Sequence, residues 1–259
     1  MDNTSKTPAT RTLPARPRGR RQSQAATRVQ SPTRKYNVVY LSHDNQINEF
    51  SREAPALPSF EDAFGALGHG AILQTTAGPM AVEDVLPGDE IRLANGQHEK
   101  LLWRGSITLG PADPDDNGAH SSLTRLTADA LGLNRPSPDL ILGPTARLLH
   151  RSPGIRTLTG RGSAFLPVRD FVDGTNIIAL RPATSVRVYQ LGFARHQCLN
   201  VNGVEIESLH PGTAFALGLR GDALAQYLAL FPHKIDLEDF GDIKSPRLRL
   251  RDLELLEGG

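Results

Sequence analysis

The chain has 259 residues, 29 Lys and Arg against 28 Asp and Glu, and one Cys, with hydrophobic side chains at 39%. That length allows one large globular domain or two small ones with a sizeable core, whereas a single cysteine excludes an internal disulfide framework and any thiolate cluster for zinc or iron–sulfur. The longest apolar stretches, Ala223–Phe231 and Asn176–Leu180, fall well short of the roughly 18 residues of a membrane span.

The near balance of charge hides an asymmetry. Residues 1–35 hold nine basic side chains and one acid, Asp2, which leaves residues 36–259 with 20 bases against 27 acids, an excess of seven negative charges. The first 35 residues are rich in Pro, Thr, Ser and Gln and nearly free of large apolar groups. They cannot bury enough surface to offset their ordering entropy, so a disordered basic tail is expected. Arg11, Arg16, Arg18, Arg20 and Arg21 could hold nucleic acid or an anionic surface. No aromatic interleaves them, and a solubilising tail is the plainer expectation. The N-terminus also lacks the apolar segment of a secretory signal. Cytoplasmic residence is the default reading, with non-classical secretion left open.

From Tyr36 the texture changes. Tyr36–Leu41 alternates β-branched and aromatic residues and reads as a strand. Pro55 and Pro58 then break the chain, and Phe60–Leu67 reads as one short helix. From Gly68 to Gly212, short apolar stretches are divided by turn signals: Pro87-Gly88-Asp89, Ala94-Asn95-Gly96, Val172-Asp173-Gly174 and Val201-Asn202-Gly203. Strands of about five residues at that spacing predict an all-β domain rather than alternating β and α units. The polar stretch Gly110–His120 carries Asp113, Asp115 and Asp116 but lacks the glycine and closing glutamate of a calcium loop, and reads as a solvated loop. Beyond Thr213 the spacing of Leu217, Leu224, Leu228 and Phe231 turns helical, and Pro246 suggests a second helix start within Ser245–Leu256. A small helical cap is expected there.

The run Gly70–Ile91, with Val82-Glu83-Asp84-Val85-Leu86-Pro87-Gly88-Asp89 at its centre, resembles the opening of a Hint (hedgehog/intein) domain, as found in bacterial proteins common among marine alphaproteobacteria. Further pieces agree in order: Leu101–Gly105, Asp139–Pro144, Phe165–Arg169, Val188–His196, Val201–Gly203 and Ser208–Gly212. The resemblance implies a horseshoe-like all-β Hint fold. The division it suggests is a tail (1–35), an N-terminal strand and linker packing on the domain (36–65), a Hint-like β domain (66–212) and a helical C-terminal extension (213–259).

It also implies a chemistry that can be checked position by position. Hint self-processing needs a Cys, Ser or Thr at the first residue to attack the preceding carbonyl, and a Thr-x-x-His element to polarise that bond and protonate the leaving amine. Splicing members add a terminal His-Asn pair. Here the first position falls at Ala66, which has no nucleophilic atom. The Thr-x-x-His element falls at Gly143 and Ala146, with Thr145 out of register between them. The terminal pair falls at Glu207 and Ser208, and His196 is retained from its block. The expectation is a non-catalytic binding or scaffold module with an unidentified protein partner and no cofactor. The alternative is an active domain that cleaves off its own residues 1–65. Ala66→Cys with Ala146→His, aided by Gly143→Thr, is the least that would restore cleavage.

The remaining candidates have plainer readings. Cys198 is expected as a small buried hydrophobe on a strand, Trp103 as a core aromatic and His69 as a loop residue. His150 and His210 stand alone in sequence, and Ser59 lies outside the pattern. No phosphate-binding loop, dinucleotide turn or Gly-x-Ser-x-Gly elbow occurs.

Overall fold

In the computed structural model, Met1 and residues 32–111 and 122–257 are described, with side chains as far as Leu253. The arginines at 11–21 and Asp113, Asp115 and Asp116 lie outside the described residues.

The elements in chain order are β1 (Thr33–Leu41), β2 (Ile47–Pro55), α1 (Pro58–Glu61), β3 (Leu67–Gly68), β4 (Ile72–Thr75), β5 (Gly78–Ala81), β6 (Glu90–Arg92), β7 (His98–Lys100), β8 (Trp103–Leu109), β9 (Leu123–Leu126), β10 (Leu140–Leu142), β11 (Arg147–His150), α2 (Pro153–Thr159), β12 (Ala164–Pro167), β13 (Ile177–Leu180), β14 (Val186–Gly192), β15 (Cys198–Val201), β16 (Val204–Glu207), α3 (Ala214–Leu217), α4 (Gly221–Leu228) and α5 (Leu250–Glu257). They form two sheets. One runs β13-β9-β10-β3-β14-β8-β1-β2, and the other β12-β11-β16-β15-β4-β6-β7, with β5 beside β4. The protein is thus mostly β-sheet with a few small C-terminal helices.

Four sequence expectations are corrected. Strand β1 begins before Tyr36: Thr33, Arg34 and Lys35 pair with Pro55, Ala54 and Glu53, and Arg34 reaches the Glu61 carboxylate and the Thr108 carbonyl. The expected linker after Tyr36–Leu41 is a second nine-residue strand, β2, closing a hairpin with β1. The expected helix at Phe60–Leu67 stops at Glu61, because Leu67 and Gly68 are taken by β10 and β14 as a strand. The last helix starts at Leu250, not near Pro246. Residues 246–248 instead run beside Phe165 of β12, whose N–H donates to the Pro246 carbonyl at 2.8 Å and whose carbonyl accepts from Leu248 at 3.0 Å. One helix inside the β region was not anticipated. α2 has Ser152 accepting from Ile155 N–H and closes on Gly160 at φ 71°, a capping pattern plain in retrospect.

Among the described residues, two large hydrophobic cores result, with a small third one around Ile155, Ala164, Leu166 and Leu253. The first lies between the sheets around Leu67, Leu73, Ile91, Leu142, Leu191 and Ile206. The second is aromatic and joins the N-terminal segment to the C-terminal cap: Tyr36, Phe60, Phe64, Trp103, Tyr227 and Phe231 are all fully buried. Phe64 stands 4.9 Å from Tyr36 and 5.1 Å from Trp103, ring to ring. Trp103 donates its indole N–H to the Leu230 carbonyl at 2.9 Å, so the buried ring carries no unsatisfied donor. This second core holds the residues just before Ala66 in place.

Candidate functional site

The Gly65–Ala66 peptide lies where β3 is clamped between β10 and β14. Ala66 N–H donates to the Tyr189 carbonyl at 3.1 Å, the Ala66 carbonyl accepts from Gly143 N–H at 2.8 Å, and the Gly65 carbonyl accepts from Thr145 N–H at 3.2 Å. The fold therefore brings Ala66, Gly143, Thr145 and Ala146 to one place. Ala66 and Ala146 are each 1% exposed, so methyl groups fill the positions where the resemblance calls for a nucleophile and an imidazole.

Thr145 is closer to the bond than a residue out of register should be. Its backbone holds the Gly65 carbonyl, and its Oγ1 is buried without a hydrogen-bond partner. Gly143 corrects a further expectation. A Cβ there would stand 2.1 Å from the Gly65 carbonyl oxygen, a backbone atom that cannot swing aside. Gly143→Thr should thus destabilise the fold by about 3 kcal/mol or more through overpacking, measured by chemical denaturation. Wild-type stability in that variant would show that the 143–146 loop can retreat.

Glu207 and Ser208, where the resemblance places the terminal pair, are tied into the surrounding strands. Ser208 and Gln197 are bonded twice across adjacent chain segments: Ser208 Oγ accepts from Gln197 N–H at 2.8 Å, and Ser208 N–H donates to the Gln197 carbonyl at 3.0 Å. Glu207 is 3% exposed and collects two guanidinium groups and an imidazole from three separate parts of the chain. Arg247 Nε donates to Oε1 at 2.9 Å, Arg147 Nη1 to Oε2 at 3.3 Å, and His196 Nε2 lies 3.2 Å from Oε1. Burial alone would raise this carboxyl, but His196, Arg247 and Arg147 outweigh it and hold it at about 2. The contact with His196 is close yet too poorly aligned to satisfy Nε2 as a hydrogen bond. Nδ1 accepts from Lys244 N–H at 3.0 Å, so neutral His196 carries its proton on Nε2, facing the carboxylate. His196 is accordingly a core residue fixed by the Glu207 cluster, and it has no contact with Ala66 among those described.

His210 stacks edge-on to His196 at 5.0 Å. Its Nε2 donates to the Gly241 carbonyl at 2.9 Å and its Nδ1 accepts from Gly212 N–H at 2.9 Å. Burial, with His196 and Arg247 alongside, pulls it down to about 4 despite the bond to Gly241. His69 is exposed and sits 3.2 Å from Glu83. Cys198 opens β15 and is only part-buried; desolvation, with Glu205 nearby, pushes its thiol up to about 12, which removes it as a ready nucleophile. Trp103 is in the aromatic core. Ser59 lines a cavity together with Asp62, Arg147 and Arg247. Among the described residues, no group of three or more His, Cys, Asp and Glu is arranged to hold a metal ion, and no helix is long and apolar enough to cross a membrane.

Sequence reasoning missed the Glu207 cluster because Arg147, Arg247 and His196 are 60, 40 and 11 positions away from it. Only a carboxylate inside an apolar strand, Val204-Glu205-Ile206-Glu207, hinted that one would need buried partners.

Comparison with curated proteins finds no match. Among solved structures, a bacterial intein-like domain from Clostridium thermocellum is similar, at 12% identity and a TM-score of 0.37, over 56% of this chain and 98% of that one. A splice-inactive variant of the AceL NrdHF class 3 split intein is similar at 9% identity and the same TM-score and coverages. The family model described as Hint domain matches residues 66–213, beginning at the alanine that stands beside the Gly65 carbonyl and ending past the Glu207 cluster. The chain belongs to the Hint domain family.

Proposed function

We propose that this Hint domain is a non-catalytic binding or scaffold module. The observation that carries the reading is the Ala66 methyl, buried in the β3 clamp with Ala146 and Gly143 as its neighbours in the motif. An acyl shift needs a nucleophile on the residue after the bond and an acid at the departing nitrogen, and residues of such a unit act non-additively. Neither atom is present at these positions.

A second feature supports the same reading. The segment before Ala66 is built into the fold: β1 pairs with β8 from Tyr36 to Tyr40, and Tyr36, Phe60 and Phe64 are fully buried. Cutting at Gly65–Ala66 would leave both pieces held together by a shared core, so little would be released. The alternative, active self-cleavage, has one observation in its favour, the unpartnered Thr145 hydroxyl beside Gly65.

The test is the mass of purified full-length protein incubated for days with and without dithiothreitol, read after denaturation. An intact chain is expected under both conditions. Scission at Gly65–Ala66, abolished by Thr145→Val, would overturn the proposal and make Thr145 the nucleophile.

A further inference from the structure

A cleft of about 390 Å³ opens over one face of the first sheet, where β2, β1, β8 and β14 lie side by side. That volume is within the roughly 300–1,000 Å³ of small-molecule sites. Directly opposite residues of antiparallel strands share a face. The register Ser51–Asn37–Ser106–Tyr189 therefore lays one polar side chain per strand across the floor, a row spanning roughly 14 Å at the usual strand spacing. Ser51 Oγ donates to Asn37 Oδ1 at 2.7 Å, which leaves the Asn37 NH2 for another partner. Ser106 and Tyr189 are 8% and 5% exposed, yet neither hydroxyl has a hydrogen-bond partner among the described residues, and neither is sealed from solvent. Hydroxyls so placed must be met by water or by a ligand. The charges around the row balance. Arg104 donates to the Val82 and Val85 carbonyls at 3.3 and 2.8 Å and to that of Glu83, with the Glu83 and Asp84 carboxylates acting on it. Glu83 accepts from Gly70 N–H at 3.0 Å and lies 3.2 Å from His69. That leaves Glu49 and Arg187, one charge of each sign on the two outer strands of the floor.

We infer that this cleft binds an uncharged sugar, whose hydroxyls exchange hydrogen bonds with Ser106, Tyr189 and the Asn37 amide. Hydroxyls both donate and accept, so a row that mixes them with an amide is matched by a ligand that does both around its rim. A carboxylate only accepts and an ammonium only donates, and with one remaining charge of each sign the wall favours neither. A sugar also replaces water hydroxyl for hydroxyl, without loss of hydrogen bonds. The inference goes beyond the non-catalytic reading and is separable from it, since the mass measurement above is the same whether or not a sugar binds.

The experiment is calorimetric titration of the full chain at neutral pH with glucose, galactose, mannose and maltose, and with gluconate and glucosamine as the anionic and cationic counterparts of glucose. Saturable binding of at least one of the four neutral sugars is expected, tighter than that of gluconate or glucosamine. Ser106→Ala and Tyr189→Phe should each weaken it about fivefold, the usual loss for a neutral hydrogen bond. Both variants should keep the wild-type melting temperature, because the hydroxyls they remove have no protein partner among the described residues. No saturable binding of any of the four sugars, tighter binding of gluconate or glucosamine, or wild-type affinity in either variant would each overturn the inference.

Discussion

Replacing Glu207 with alanine should cost about 3–5 kcal/mol and lower the denaturant midpoint more than any surface charge change. The reason is the asymmetry between losing a buried ion cluster and losing one member of it. Arg147 and Arg247 are three-quarters buried, at 26% and 23% side-chain exposure, and both rely on the Glu207 carboxylate. Without it, the two guanidinium groups repel each other in poorly solvated surroundings where Asp62 is left as the carboxylate acting on Arg147, and Arg247 loses the contact that ties residues 246–248 to β16. Glu207→Gln should be milder, because an amide oxygen can still accept from Arg247. A midpoint for Glu207→Ala within experimental error of wild type would mean that water reaches the cluster and replaces the carboxylate.

Acid should unfold the protein from within the C-terminal cap. His233 lies against Trp103, Phe231 and Phe240, at ring distances of 6.2, 6.5 and 6.3 Å, and neither of its ring nitrogens has a hydrogen-bond partner. Desolvation, helped by adjacent Lys234, lowers it from 6.5 to about 3. His210 is lowered in the same direction, to about 4. Both histidines are neutral when folded and take up protons when unfolded, so the unfolded state binds more protons and stability falls as pH drops below 6.5. For His233 alone the loss by pH 4 is about 3 kcal/mol, at roughly 1.4 kcal/mol per pH unit. Glu207 works in a lower window. Its depressed carboxyl contributes stability above 4.5 that is lost as pH falls toward about 2. Denaturant midpoints measured from pH 7.5 to 4 should therefore decline steadily. His233→Leu, which keeps the apolar contacts and removes the unpaired nitrogens, should flatten part of that decline. An equal slope in the variant would assign the acid loss elsewhere.

Much of the β framework was legible in the sequence because its signals are local. Asn202 and Gly203 both need positive φ, at 49° and 86°, and the dipeptide Asn-Gly between apolar runs announces a tight hairpin. In Pro87-Gly88-Asp89, Gly88 supplies φ 108° and Asp89 accepts from Leu86 N–H at 2.7 Å. Ala66, Gly143 and Ala146 are assigned from order along the chain alone, and the fold brings Ala66 against Gly143 through a backbone hydrogen bond. β2 was not legible. Ile-Asn-Glu-Phe-Ser-Arg-Glu-Ala-Pro has no clean alternation, because as an edge strand it buries little and is held by its backbone pairing with β1.

What the sequence determined by itself was the family and the mainly β character, because each depends on residue type and on spacing over a few positions. Only the tertiary structure decided three other matters. It built the N-terminal hairpin into the aromatic core through Phe60 and Phe64. It made Glu207 the anchor for arginines from β11 and from the segment before α5. It set the Gly65 carbonyl so close to Gly143 that no side chain fits. Each of these depends on atoms brought within a few ångströms from far apart in the chain. Such proximity leaves no mark in local pattern, because the burial that makes it favourable exists only once both sheets and the cap are assembled.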